Sequence, residues 1–175
     1  SGDGKITKLT TDGSSYIVNG TFDWVYEEEL FCRDGFRWSP DSKQIAYWQL
    51  NSEGVKEMLL INDTDALYPV VTSFPYPKAG ETNSAARVGV VSAGGGATKW
   101  FEVQGDPRNN YLPRMEWADG SDEVVIQQMN RLQNTNTVML GDARTGKVRT
   151  ILVEKDDAWV DTAWGDIDWD KRGLV

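Results

Sequence analysis

Three consecutive glutamates, Glu27, Glu28 and Glu29, are the residues of this sequence whose type and spacing could do chemistry. Aromatic residues precede them, and the apolar pair Leu30-Phe31 follows. Adjacent carboxylates repel one another unless water or a cation relieves the repulsion. A solvated acidic turn would meet that need. A bound ammonium group would also meet it, because its three donors suit the acceptors of two carboxylates.

The absence of histidine excludes several kinds of catalytic site from this chain. A Ser-His-Asp triad needs a base that exchanges a proton near neutral pH. The Gly-x-Ser-x-Gly nucleophile elbow is also absent, because Ser92 has Gly94 two residues after it but Val90 two residues before it. Cys32 is the only cysteine, so zinc sites built on histidine or cysteine clusters are excluded and a buried, inert thiol is expected. We expect no metal, no other cofactor and no hydrolase activity from this chain alone.

Charge and composition limit the kinds of partner that this chain could bind. The 175 residues are 39% hydrophobic and 26% charged, and the formal net charge is −9. The electrostatic field of this negative charge repels phosphate backbones, so a nucleic acid partner is not expected. The same field favours cationic ligands. No run of about 20 apolar residues that could span a bilayer is present. The first residues are typical of the middle of a domain rather than of a signal peptide.

Strand-like runs separated by turn sequences predict an all-β, antiparallel fold around the glutamates. A Trp-Ser-Pro-Asp turn joins residues 35–39 to residues 44–50, and a glycine-rich turn joins residues 87–91 to residues 98–103. A second cycle of four runs follows between residues 115 and 152. The tryptophans at equivalent positions of the cycles are expected in the core; they are Trp38, Trp117 and, opening a third cycle, Trp169.

Four strands in about 50 residues predict the blade of a β-propeller. Residues 1–34 would be the end of one blade plus the glutamate segment, and residues 35–103 a blade with a proline-rich arm. Residues 104–165 would form the next blade, and residues 166–175 the start of another. A closed propeller needs at least about four blades, so the sequence predicts a truncated part of one, with about two to three blades.

The run Asp-Trp-Val-Tyr-Glu-Glu-Glu at residues 23–29 resembles the double-glutamate motif of the dipeptidyl peptidase IV family. Members of that family are serine exopeptidases with an N-terminal β-propeller and a C-terminal α/β-hydrolase domain. The resemblance extends from about residue 17 to residue 161. Further segments match the family in the same order along the chain, and these segments are Phe36-Arg37-Trp38-Ser39-Pro40-Asp41, Ile45-Ala46-Tyr47-Trp48, Tyr68-Pro69, Pro75-Tyr76-Pro77-Lys78-Ala79-Gly80, Asp106-Pro107-Arg108, Tyr111-Leu112 and Gln133-Asn134.

This resemblance implies a role for two of the glutamates. Glu28 and Glu29 correspond to the pair that clamps the free α-ammonium group of a peptide substrate. Fixing the amino terminus places the bond after the second residue at the catalytic site. The family accordingly releases X-Pro or X-Ala dipeptides. Four neighbours are expected to support the pair on a short helix, and they are Asp23, Trp24, Tyr26 and Glu27. For Glu27 itself, solvation or a salt bridge is expected.

The resemblance also implies partners. The catalytic Ser, Asp and His would come from the protein's own C-terminal hydrolase domain, which lies outside this sequence. The proline-rich arm would form a homodimer, and its expected residues are Tyr68, Pro69, Pro75, Tyr76 and Pro77. A periplasmic, extracellular or outward-facing membrane-anchored location is implied as well. Arg108 and Arg131 could bind substrate carboxylates, although solvated surface positions are favoured.

Two other functions remain open on sequence grounds. A propeller derived from a peptidase that lost its triad would serve as a non-catalytic protein-interaction module. A propeller could also bind a metal ion or a glycan through its acidic face. The rest of the protein separates the first of these from the enzyme, because only the enzyme needs a downstream nucleophile elbow followed by Asp and His.

Overall fold

The structure is a computed structural model, and it describes residue 4 and residues 6–162 of the chain. In this part of the chain one short helix and eleven strands are present, and every strand pairing is antiparallel. The elements are β1 (Ile17–Asn19), α1 (Trp24–Glu28), β2 (Phe36–Trp38), β3 (Gln44–Asn51), β4 (Glu57–Asn62), β5 (Val70–Pro75), β6 (Ala85–Ser92), β7 (Lys99–Trp100), β8 (Asn110–Trp117), β9 (Glu123–Asn130), β10 (Thr135–Asp142) and β11 (Val148–Lys155).

The first sheet is built around β3. Its strand β6 pairs along one edge of β3, and β7 pairs with β6 beyond it. On the other edge, β2 pairs with the first half of β3 and β1 pairs with its last residues, where Ile17 is opposite Asn51. The sequence predicts that residues 17–19 belong to the end of a preceding blade. The structure instead places them in the same sheet as β2, β3, β6 and β7.

The second sheet is a four-stranded meander in the order β11-β10-β9-β8. The predicted second cycle of four runs is confirmed, because each run forms one strand paired with its sequence neighbour. In β8 the pairing with β9 shifts register between Tyr111 and Arg114, where Pro113 lies. A proline has no N–H for the ladder and is typically found at such bulges. The third cycle and Trp169 lie outside the described residues.

A two-stranded hairpin lies between β3 and β6 in the chain, and the proline-rich segment supplies its second strand. Its strands β4 and β5 pair with each other, and Met58 is opposite Phe74. Every β4 side chain is exposed, including those of the apolar residues Leu59 and Ile61. This hairpin, residues 57–75, is called the arm below. The apolar run of β4 therefore belongs to the arm and not to a blade.

The main core lies between the facing surfaces of the two large sheets. Trp48 and Val88 from the first sheet pack in one cluster with Met115 and Ile126 from the second. Trp117 is also buried there, as expected, and is 7% exposed.

The expected burial of Trp38 is wrong, because this side chain is 52% exposed. Neighbouring side chains of a strand point to opposite faces. The Arg37 guanidinium lies over the Trp48 ring, 5.8 Å from its centroid, on the face toward the second sheet. Trp38 consequently points to the other face of a three-residue edge strand.

Trp48→Ala is expected to lower the free energy of unfolding by about 3–5 kcal/mol, because it leaves a large cavity and removes a buried hydrogen bond. Trp38→Ala is the matched control and should cost less than about 1 kcal/mol, since its ring is half exposed. Urea unfolding of the two variants measures both values. Equal losses for the two tryptophans would contradict this description of the core.

Candidate functional site

The glutamates lie on an excursion, residues 21–34, that leaves and rejoins the first sheet at one point. The N–H of Gly20 donates to the Trp48 carbonyl at 2.9 Å, and the N–H of Trp48 donates to the Gly35 carbonyl at 3.0 Å. A Cβ atom added to Gly35 would lie 2.4 Å from the carbonyl carbon of Gly20. Only glycine permits so close an approach of two backbone segments. The base of the excursion is therefore closed.

Asp23 starts the helix α1. Its Oδ1 accepts a hydrogen bond from the Tyr26 N–H at 3.1 Å, and its carbonyl accepts from the Glu27 N–H at 3.0 Å. These are the contacts of an N-cap residue. Burial raises the pKa of the Asp23 carboxyl, and the nearby Ser84 hydroxyl and backbone N–H groups oppose that shift.

Tyr26 fixes one side of the helix to the second sheet. Its ring is 2% exposed, and its hydroxyl accepts a hydrogen bond from the Leu112 N–H at 2.9 Å. The Leu112 carbonyl accepts from the Trp48 indole N–H at 2.8 Å. Leu112 lies in the bulge of β8, so both of its main-chain groups can bind side chains. Burial raises the pKa of Tyr26 well above its ordinary value, so the phenol stays neutral.

The segment after the glutamates turns back and is held by the same bulge. Phe31 has a positive φ of 53°, and the N–H of Cys32 then donates to the Tyr26 carbonyl at 2.9 Å. The Arg114 guanidinium donates to the Leu30 carbonyl at 3.0 Å, and the Cys32 thiol contacts the Pro113 carbonyl at 3.3 Å. Both ends of α1 are thus anchored.

Cys32 is buried and 8% exposed, which confirms the expected buried thiol. Burial raises the pKa of this thiol to about 11, although Arg114 and Arg37 oppose the shift. Since the thiolate is the reactive form of cysteine, the side chain is inert at neutral pH.

The three glutamates differ in their surroundings. Arg33 lies 3.4 Å from the Glu27 carboxylate and 3.9 Å from that of Glu28. Both Glu28 and Glu29 are exposed, and among the described residues no Lys or Arg nitrogen lies within 4.0 Å of the Glu29 carboxylate. Glu28 ends α1 and Glu29 caps it, so the unpaired carbonyls of the helix end add further negative potential. The arrangement can accept hydrogen bonds from a cation that approaches from solvent.

Trp24 places the helix against the arm. Its ring stacks on Phe74, with centroids 5.1 Å apart, and tilts against Tyr76 at 5.6 Å. Of the expected arm residues, Tyr76 therefore faces the chain's own helix, and Pro75 and Pro77 are half-buried beside it. Tyr68 is 78% exposed and Pro69 is exposed next to it. Sequence reasoning missed Phe74, although its alternation with Tyr76 on one strand face was a usable signal.

Two arginines hold the base of the arm. Arg108 donates to the carbonyls of Asn83 at 2.7 Å and Glu53 at 3.0 Å, and Arg131 donates to the Glu81 carbonyl. The sequence favours solvated surface positions for both, yet each binds main-chain oxygens of the segment that carries the arm. These contacts join residues that are 25 to 55 positions apart in the sequence, so local sequence patterns do not predict them.

The described part of the chain contains neither a metal-binding cluster nor a membrane-spanning helix. No group of three or more acidic or cysteine side chains there is arranged to hold a metal ion. No helix within residues 6–162 is long and apolar enough to cross a bilayer.

Comparison with known proteins gives matches along most of the chain. The family model for the dipeptidyl peptidase IV (DPP IV) N-terminal region matches residues 1–173. Inactive dipeptidyl peptidase 10 of Mus musculus is 32% identical over 159 residues, which cover 87% of this chain and 20% of that protein. Dipeptidyl aminopeptidase B of Saccharomyces cerevisiae is 32% identical over 151 residues, which cover 82% of this chain and 18% of that protein.

A solved structure also matches. The crystal structure of Porphyromonas gingivalis dipeptidyl peptidase 4 has a TM-score of 0.82 and 31% identity over 89% of this chain and 22% of its own. The chain thus spans about a fifth of the length of these proteins. Together with the antiparallel sheets, this overlap confirms the predicted all-β fold as part of a β-propeller.

Asp23→Asn is expected to change how stability depends on pH. The pKa of the folded Asp23 carboxyl is raised above its ordinary value of 3.8, so ionisation is less favourable in the folded protein. Its contribution to the free energy of unfolding is fully present below pH 3.8 and is lost as the pH rises through the folded pKa. Asparagine keeps the cap without the charge. The variant should therefore gain stability relative to wild type as the pH rises through this window.

Asp23→Ala is the matched control, because it removes the cap as well as the charge and should be about 0.5–2 kcal/mol less stable than Asp23→Asn at every pH. Urea unfolding at a series of pH values from about 3 to 7 measures all three proteins. A difference between Asp23→Asn and wild type that stays constant with pH would show that Asp23 does not carry this effect.

Proposed function

The chain belongs to the family of dipeptidyl peptidase IV N-terminal regions, and from that membership we propose that it anchors the free amino terminus of a peptide for a serine dipeptidyl peptidase. Glu28 and Glu29 are the anchor, and the propeller around them gates access to the cleavage site. One observation carries the proposal. Both carboxylates are exposed at the end of a helix whose opposite side is fixed by Tyr26.

The chemistry of the anchor follows from its charges. An α-ammonium group offers three donors and one positive charge, which match two neighbouring carboxylates. Holding that group at a fixed place selects the bond two residues away, so the products are dipeptides such as X-Pro or X-Ala. An acetylated terminus has lost the charge and two donors, and would leave the carboxylates without a partner. Glu27 is assigned no part, because Arg33 donates a hydrogen bond to its carboxylate at 3.4 Å and makes only a longer 3.9 Å contact with that of Glu28.

The remaining machinery belongs to the rest of the proposed enzyme. Its catalytic Ser, Asp and His lie in a C-terminal α/β-hydrolase domain, and this domain is a partner of the propeller. An outward-facing location, periplasmic, extracellular or membrane-anchored, places the site where peptides with free amino termini arrive.

We assign the arm to a homodimer contact. The strand face that carries Phe74 is turned to Trp24, so the opposite face of the arm is available to a partner. On that face Leu59, Ile61 and Val71 are 60%, 67% and 56% exposed. A two-stranded hairpin with this much apolar surface is marginal without a partner. A second copy of the protein would cover it.

A second function has a specific observation in its favour. The Mus musculus relative is named an inactive dipeptidyl peptidase, so this propeller also suits a protein that does no hydrolysis. In that case the blades and the arm would serve protein interaction alone. A downstream Gly-x-Ser-x-Gly followed by Asp and His distinguishes the enzyme from the interaction module.

Glu29→Gln in the full-length protein should lower kcat/KM for a free-amine Gly-Pro substrate by roughly 30- to 1,000-fold, because about 2–4 kcal/mol of charge pairing is lost. Glu28→Gln should act in the same direction. Glu27→Gln is the matched control in the same run of glutamates and should change the value less than about threefold. The N-acetylated substrate should be cut poorly by every variant. Equal cleavage of both substrates by wild type would refute the amine anchor.

Ile61→Lys in the full-length protein should weaken the homodimer at least about 30-fold, since burying an unpaired ammonium costs several kcal/mol. Leu132→Lys is the control, because Leu132 is 75% exposed and lies outside the arm. Sedimentation equilibrium gives the dissociation constants. A dimer unaffected by Ile61→Lys would place the contact elsewhere.

A further inference from the structure

Three aromatic rings form the contact between the arm and the helix of the glutamates. Besides the two contacts of Trp24, the rings of Phe74 and Tyr76 meet edge to face at 6.1 Å. Each ring thus touches the other two, and the set of Trp24, Phe74 and Tyr76 is called the aromatic clamp below. Trp24 itself remains 41% exposed, so the clamp lies at the surface and not in the main core.

The helix depends on such contacts for its position. α1 has five residues, far fewer than a helix needs to be stable alone. Tyr26 holds it on the side of the second sheet. Trp24, two residues earlier, points to a different side of the helix, because successive residues are about 100° apart. The clamp is therefore the second anchor of the segment that carries Glu28 and Glu29.

The arm is held at its base but exposed along its strands. Lys56 and Glu81 form an ion pair at 2.8 Å across the base, and the N–H of Tyr76 donates to the Lys56 carbonyl at 2.9 Å. Beyond this point the hairpin is two strands wide. Whatever covers its outer face will restrict the motion of β5, which carries Phe74, and of Tyr76 just beyond it.

We propose that the aromatic clamp transmits the state of the arm to the amine anchor. When the arm is ordered, Phe74 and Tyr76 hold Trp24, and Trp24 holds α1 so that both carboxylates reach the same ammonium group. Trp24 is thus a positioning residue, which touches no substrate. This inference rests on the proposed function of Glu28 and Glu29. By linkage, binding of a free-amine peptide strengthens the covering of the arm by the same factor.

The test compares Trp24→Ala with Trp24→Phe in the full-length protein. The alanine variant should raise KM for a free-amine Gly-Pro substrate by about tenfold, with kcat changed less than about threefold, because positioning and not chemistry is disturbed. Trp24→Phe keeps a ring in the clamp and should restore KM to within about threefold of wild type. If the protein does not cleave the substrate, the dissociation constant of a free-amine Gly-Pro peptide replaces KM.

Hydrogen exchange adds a structural readout. Trp24→Ala should speed exchange of the Glu29 amide, which bonds the Val25 carbonyl at 2.9 Å, and of the amides of β4 and β5. Tyr16→Ala is the matched control, since Tyr16 is an aromatic residue with 43% exposure that directly precedes β1, away from the clamp. This variant should leave KM for the free-amine substrate and the exchange rates of these amides unchanged.

The outcomes separate this inference from the function on which it rests. If Glu29→Gln weakens amine binding and Trp24→Ala does not, the clamp has no positioning role and the amine anchor stands. If neither variant has an effect, both proposals fail. If Tyr16→Ala weakens binding as much as Trp24→Ala, the effect is general destabilisation and the inference is overturned.

Discussion

The main chain of Leu112 is the point on which the rest of the site depends. Its N–H donates to Tyr26 and its carbonyl accepts from Trp48. Both groups lie deep between the sheets, where an unpaired one would cost about 1–3 kcal/mol. The bulge around Pro113 removes them from the ladder with β9. One residue of the second sheet therefore ties together the central strand of the first sheet and the helix of the glutamates.

This constraint explains why the glutamates face solvent. Tyr26 is directed inward, and Leu30 is buried four residues later, so the residues between them must cover the outer side of the helix. Three acidic side chains then share a short turn with the negative end of the helix. Arg33 offsets part of their repulsion. The remaining electrostatic cost arises because the fold buries the neighbouring residues and leaves these carboxylates at the surface, and a bound cation would relieve it.

Sequence patterns predicted those parts of the structure that depend on neighbours in the chain. The Trp-Ser-Pro-Asp turn is an example, since the Ser39 hydroxyl donates to the Asp41 carboxylate at 2.8 Å and the two residues are only two positions apart. The hydrogen bond between Tyr26 and Leu112 joins residues 86 apart, and no local pattern announces it. Trp38 was misplaced for a related reason, because repeat position alone does not say which face of an edge strand is covered.

The two anchors of α1 differ in kind, and the difference bears on the role proposed for Glu28 and Glu29. Tyr26 is held by a buried hydrogen bond, whose strength falls steeply with distance and angle. Trp24 is held by ring contacts, which tolerate sliding and tilting at little cost. A displacement of the arm would therefore move Trp24 before it disturbed Tyr26, turning the helix about its fixed side. Glu28 and Glu29 lie beyond that fixed point in the chain, so a small rotation there changes where both carboxylates point.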